Sequence, residues 1–195
     1  MGRRREGLSK GDRRERAILA TARHLLAERP MSRITIDELA AGAGISRPGF
    51  YFYFDSKVAV VTALLDEIAG QMAADTQDWL AGSGADDESL RRSLGTSARL
   101  WREHGPLLRQ ALVEEDPDPE LRPFRERILE GFVVKAAERI QRDRETGLAP
   151  PGPAPEALAR ALVQMKFSVL SSAHTDDVID TLATIMQRAI YGTCG

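Results

Sequence analysis

The chain has 195 residues, a hydrophobic fraction of 43%, a charged fraction of 29% and a net charge of −2. Those values are ordinary for a globular protein and exclude fibrous and wholly disordered classes, while the length admits one large domain or a small domain fused to a larger one. The near-neutral total hides an asymmetry: residues 1–57 carry 12 Lys/Arg against 7 Asp/Glu and residues 58–195 carry 15 against 22, so a polyanion is expected at the N-terminal end.

From the N-terminus, "MGRRREGLSKGDRRER" has basic residues but no apolar core behind them, so no signal peptide is expected. Residues 1–11 read as a basic flexible arm that adds phosphate contacts. The first helix is expected from about Asp12 to Glu28, with Ile18, Ala22, Leu25 and Leu26 on one face. After the break at "RPMSR", Thr35 and Glu38 have capping-box spacing, flanked by Ile34 and Leu39 as a hydrophobic staple. That helix should be short, because Gly42 and Gly44 follow within two turns.

The next stretch, "GAGISRPGFYFYFDSK", places five aromatics in succession, Phe50 to Phe54. At 100° per residue they cannot all face one core: Phe50 and Phe54 share the inner side, and Tyr51, Phe52 and Tyr53 are at least partly presented outward. A strand is the competing reading, since F-Y-F-Y-F alternates. Pro48-Gly49 at the start of the run and the lack of a partner strand favour the helix.

Two short helices joined at a glycine form a helix-turn-helix, which needs a small residue where the helices cross and a glycine where the backbone reverses. Ala40 and Gly44 meet those needs, and Leu39, Ala43, Ile45 and Phe50 are apolar where the helices would pack. Ser46 would cap the second helix, leaving Arg47, Pro48, Gly49, Tyr51 and Tyr53 to project from the part that enters a DNA major groove. Thr35 and Lys57 begin the flanking helices, whose N-termini attract phosphate. Arg47 is the expected base reader through a bidentate pair with guanine, with a phosphate contact as the alternative. Tyr51 and Tyr53 can donate to phosphate oxygens, and a packing role for the Tyr53 ring stays open.

From Ser56 a long helix reads through "KVAVVTALLDEIAGQMAADTQDWL". Glu88 to His104 follows, then "LLRQALVEE" beyond Gly105-Pro106, and then the amphipathic "FRERILEGFVVKAAERIQRDRE". The proline-rich "GLAPPGPAP" forces an irregular connection before two last helices, Leu158 to Ala173 and Asp177 to Tyr191. Apolar residues recur at helical spacing throughout, so the fold class is all-α. The expected division is the arm 1–11, a helix-turn-helix domain 12–55 and a second domain 56–195. No run approaches the ~18 apolar residues of a membrane span. The single cysteine, Cys194, forms no internal disulfide, and a cytoplasmic protein is the expectation.

Across "AILATARHLLAERP", "ITIDELAAGAGIS" and "GFYFYFDSKVAVVTALLD" the chain resembles the TetR family of bacterial transcriptional regulators. The family's Tyr, His, Phe and Lys positions fall on Tyr51, Tyr53, Phe54 and Lys57. Tyr53 therefore replaces the usual His, and Gly49 stands where Thr is common, removing a side chain that could touch a base or phosphate. The resemblance implies about nine helices and a homodimer formed through the last two helices, which holds two recognition helices one DNA turn apart, roughly 34–36 Å. It also implies a small-ligand pocket and release of a palindromic double-stranded operator on ligand binding.

The expected lining is Met72, Trp79, Leu100, Trp101, Leu108, Phe124, Leu129, Phe132, Met165 and Phe167, with few polar groups, which suits an apolar or amphipathic ligand. No cofactor or metal is implied. His24, His104 and His174 lie in separate segments, "EEDPD" at 114–118 reads as a solvated helix end, and no phosphate loop or nucleophile elbow occurs, so an enzyme is not expected. The alternative is a helical protein-interaction module that no longer binds DNA.

Overall fold

The computed structural model describes residues 10–113, 119–172 and 177–192. Residues 1–9 of the basic arm, the acidic stretch 114–118, Ala173, His174 and Cys194 lie outside the described residues. The described residues form eight α-helices and no strand: α1 (Lys10–Glu28), α2 (Ile36–Gly42), α3 (Arg47–Phe50), α4 (Lys57–Ala81), α5 (Asp87–Leu112), α6 (Arg122–Glu145), α7 (Pro155–Ser172) and α8 (Asp177–Tyr191). The two segments separated in sequence at Gly105-Pro106 run on as one helix across a kink. His104 leaves helical geometry there (φ −128°, ψ 18°), because Pro106 has no N–H to donate and its ring crowds the preceding turn. Counting α5 once turns the expected nine helices into eight. The chain clusters into two compact units, residues 1–66 and 67–195.

In residues 10–66, Ile18, Ala22 and Leu26 of α1 are buried together with Leu39, Ala40, Phe50, Phe54 and the start of α4. The capping box forms as the spacing requires: Glu38 N–H donates to Thr35 Oγ1 at 3.3 Å, and Thr35 N–H to Glu38 Oε2 at 2.9 Å. Ile34 and Leu39, the expected staple, are 3% and 2% exposed. Gly44 turns the chain at φ +65°, a conformation that costs other residues energy. Gly42 answers a different demand. A Cβ there would lie 2.3 Å from Thr21 Cγ2, so α2 can approach α1 this closely only without a side chain.

In residues 67–195, α5 packs against α8 and α7, and α6 lies along α7. Seven polar or charged residues are buried here: Thr76, Ser89, Ser93, Ser97, Arg139, Asp143 and Lys166. Some pair simply, as Thr76 and Ser93 do through their hydroxyls at 2.9 Å. Arg139 and Asp143 anchor a larger knot. Asp143 Oδ2 accepts from Tyr191 Oη at 2.7 Å, Gly84 N at 3.2 Å and Arg139 Nε at 3.4 Å. Arg139 Nη2 donates to Gly84 O at 2.7 Å, and its guanidinium covers the Trp79 ring at 4.4 Å. The α4–α5 turn and the ends of α6 and α8 are thereby tied together. Burial and the Asp143 bond push the Tyr191 phenol up to about 12.

Candidate nucleic-acid interface and ligand core

Helix α3 is only one turn long, and its position is set by both its ends. Ser46 Oγ accepts from Gly49 N–H at 3.2 Å, and Pro48 occupies an early position where no N–H is needed. Past Phe50 the backbone keeps turning: Tyr53 and Phe54 N–H both donate to Phe50 O, at 2.9 and 3.1 Å. The aromatic run thus spans the helix's last residue and a following turn. Phe50 and Phe54 point inward, ring centroids 6.2 Å apart, while Tyr51 is 45% and Phe52 87% exposed. The extended-strand alternative is absent from this stretch.

Arg47 is exposed and donates from Nη1 to Asp37 Oδ2 at 2.8 Å. A hydrogen bond with Tyr51, then the Asp37 charge, raise its pKa further, so it is a permanent cation. Ser46, Gly49 and Tyr53 line a groove of about 410 Å³ shared with Lys10, Gly11, Arg14, Ile45 and Phe52. Pro48 is exposed. The structure gathers Ser46, Gly49 and Tyr53 on one groove and sets Arg47 beside Tyr51.

Thr35 and Lys57 stand at the starts of α2 and α4 as expected, and their side chains also make bonds within the protein. Lys57 Nζ donates to Met31 O at 3.1 Å and Ile34 O at 3.3 Å, so its charge braces the turn before α2. The Thr35 hydroxyl accepts from Glu38 N–H and donates to Glu38 Oε2 at 2.8 Å, so it is committed to the cap. Sequence spacing marked both as helix starts and carried no information on which way their polar atoms turn. Arg14 was missed. Its Nη1 donates to Ala43 O and Gly44 O, both at 3.1 Å, closing the carbonyl end of α2 beside the groove. Only its place four residues before Ile18 on α1 hinted at that side.

Of the ten expected ligand-lining residues, Met72, Trp79, Leu100, Trp101, Leu108, Phe124 and Phe167 are buried, and Leu129, Phe132 and Met165 are half-buried. Trp101 and Phe132 each meet Phe167 edge-on, with centroids 6.2 and 5.7 Å apart. Trp79 belongs instead to the Arg139 knot. Among the few polar groups near these residues is Lys166, which is 6% exposed and whose Nζ lies 5.2 Å from the Phe132 centroid. Its signal in sequence was a single Lys inside "ALVQMKFSVL".

Comparison with known proteins fits this arrangement. The profile of bacterial regulatory proteins of the tetR family matches residues 18–64, and that of the C-terminal domain of the transcriptional regulator EthR matches residues 90–192. The HTH-type transcriptional regulator EthR of Mycobacterium tuberculosis H37Rv is 35% identical over 202 residues, covering 97% of this chain and 92% of its own. The chain belongs to the TetR family.

It is a DNA-binding transcriptional regulator rather than an enzyme. Among solved structures, Salmonella enterica GusR superposes with a TM-score of 0.79 at 20% identity, covering 94% of this chain and 98% of that one. AibR, solved in complex with isovaleryl coenzyme A and operator DNA, gives a TM-score of 0.64 at 19% identity, with 92% and 98% covered. These likenesses establish the fold. No described helix is long and apolar enough to cross a membrane.

Proposed function

We propose that the protein is a ligand-responsive repressor that binds a palindromic operator as a homodimer and leaves it when a small apolar or amphipathic molecule enters the core of residues 67–195. The observation that carries this reading is the edge formed by Arg47, Tyr51 and Phe52: a cation and two aromatic side chains facing outward from a capped turn whose other side is anchored by fully buried Phe50. A duplex offers phosphates and base edges to such a surface. Arg47 is the base reader in this reading, Tyr51 and Tyr53 grip the sugar-phosphate rail, and Ser46, Pro48 and Gly49 allow close approach of the backbone. Lys57 and Thr35 act indirectly, by holding α2 and the preceding turn.

The dimer surface is assigned to α7 and α8. Each buries one side, through Leu162, Phe167 and Leu170 and through Leu182, Met186 and Ile190. Each also leaves an outer seam of small and apolar residues, with Ala161, Met165 and Val169 on one and Ile185, at 42% exposure, and Ala189 on the other. A ligand changes operator affinity only through differential binding to two states, and moving a 1:99 ratio to 99:1 takes about 5.5 kcal/mol.

The test is a gel shift on DNA upstream of the protein's own gene. Retardation at low salt that steepens with dilution of salt is expected from phosphate contacts. Arg47→Ala should remove sequence preference, and Tyr51→Phe should weaken all sequences alike. No retardation by the native protein at low salt would replace this reading with a protein-interaction module.

A further inference from the structure

Lys166 of α7 lies in an aromatic corner shared with α5 and α6. Its Nζ is 5.2 Å from the centre of the Phe132 ring and 5.5 Å from that of Phe167. Ring faces offset only part of the cost of burying an ammonium. No described carboxylate or carbonyl accepts a hydrogen bond from it, and burial holds its pKa down to about 8. Phe167 also meets Trp101, whose Nε1 is buried with no acceptor. One turn earlier on α5, Ser97 is fully buried and its Oγ has no partner.

Lysine and tryptophan side chains donate hydrogen bonds and cannot accept them. Lys166 and Trp101, both against Phe167, are therefore donors in surplus. A compact group that only accepts and carries negative charge satisfies both. A carboxylate meets that description, and its alkyl chain suits the buried Leu100 and Leu108.

We propose that Lys166 and Trp101 form the head-group clamp for a single-chain organic carboxylate, making the regulator a sensor of amphipathic acids rather than of neutral apolar molecules. This rests on the ligand-responsive reading above and narrows its ligand class. The clamp selects charge at the head, while the surrounding carbon sets chain length.

The experiment measures binding of straight-chain carboxylates from hexanoate to hexadecanoate, and of the matching alcohols, by calorimetry on the full-length protein. The native protein should prefer the best carboxylate over its alcohol by about ten- to hundredfold, the worth of a charge-assisted hydrogen bond. Lys166→Met should abolish or reverse that preference, and Trp101→Phe should reduce it by a smaller factor. Equal affinity for acid and alcohol in the native protein, a preference that survives Lys166→Met, or no binding by any carboxylate overturns the assignment. Operator release is read separately by gel shift. Carboxylate binding without release keeps the clamp and removes the ligand-responsive repressor, whereas release by alcohols as readily as by carboxylates does the reverse.

Discussion

Residues 10–66 and residues 67–195 handle polar groups in opposite ways. In the first region the polar side chains stay at the surface and pair over short range, as Thr35 does with Glu38 and Ser46 with Gly49. Among the described residues ten buried side-chain nitrogen and oxygen atoms lack a hydrogen-bond partner, and of these only Arg29 Nε lies in residues 10–66. The other nine lie in the larger region, together with all seven buried polar or charged residues. A surface that must meet DNA in one geometry gains from being fully satisfied before binding. A core that must respond to a molecule gains from groups whose needs the protein alone leaves unmet.

The comparison is tested hardest at Asp143. Removing one partner of a buried pair strands the other, so Asp143→Ala should cost about 3–5 kcal/mol in urea denaturation. Tyr191 and Gly84 would lose their acceptor in the same step. A loss below about 1 kcal/mol would mean that the knot contributes no more than an ordinary surface pair.

Lys166 tests the same idea with the opposite sign. Its pKa of about 8 lies below the unfolded value near 10.4, so between those pH values the unfolded chain binds more protons and stability rises with pH. The penalty for burying the charge is fully present below about pH 8. Lys166→Met should therefore stabilise the ligand-free protein at pH 7 by about 2–3 kcal/mol and flatten the stability curve between pH 8 and 10.5. A destabilised variant would show that the amine has a partner that compensates its burial.

These contrasts also explain what the sequence made legible. The helix-turn-helix was readable because its determinants are local: a capping box four residues long, a turn glycine, and an aromatic pair four residues apart that shares the inner face. Ser46, Arg47 and Tyr51 could be placed from that pattern. Lys57 could not, since its direction depends on carbonyls at Met31 and Ile34, over twenty residues away. In the larger region the buried apolar stripes were readable from helical periodicity, but that pattern did not mark Arg139, Asp143 and Lys166 as buried. Their burial comes from which helices meet them, and periodicity carries no such information.

A smaller effect sharpens the comparison from the other side, because close fit rather than charge sets the tolerance of residues 10–66. A methyl at Gly42 would meet Thr21 Cγ2 at 2.3 Å and Oγ1 at 2.8 Å. Gly42→Ala should cost about 1–3 kcal/mol, as overpacking does, and weaken operator binding by displacing α2. Combining it with Thr21→Ala removes both offending atoms and should recover most of the loss. Independent, additive effects of the two changes would show that this contact does not set the position of α2.

The smallest change concerns the cap that starts α2. Thr35→Ala should cost about 1 kcal/mol, typical of a lost N-cap. Its diagnostic value lies in acid. Hydrogen bonds from Thr35, backbone first and then hydroxyl, together with Arg29 at 2.6 Å, hold the Glu38 carboxyl down to about 2. A carboxylate depressed in the folded state stabilises it above the unfolded pKa, near 4.5, and that contribution fades as pH falls through about 2. Thr35→Ala should raise the Glu38 pKa, measured by NMR titration, and move the loss of this contribution to higher pH. The Tyr191 phenol, held up to about 12 inside the knot, provides the control: the Thr35 change should leave it untouched.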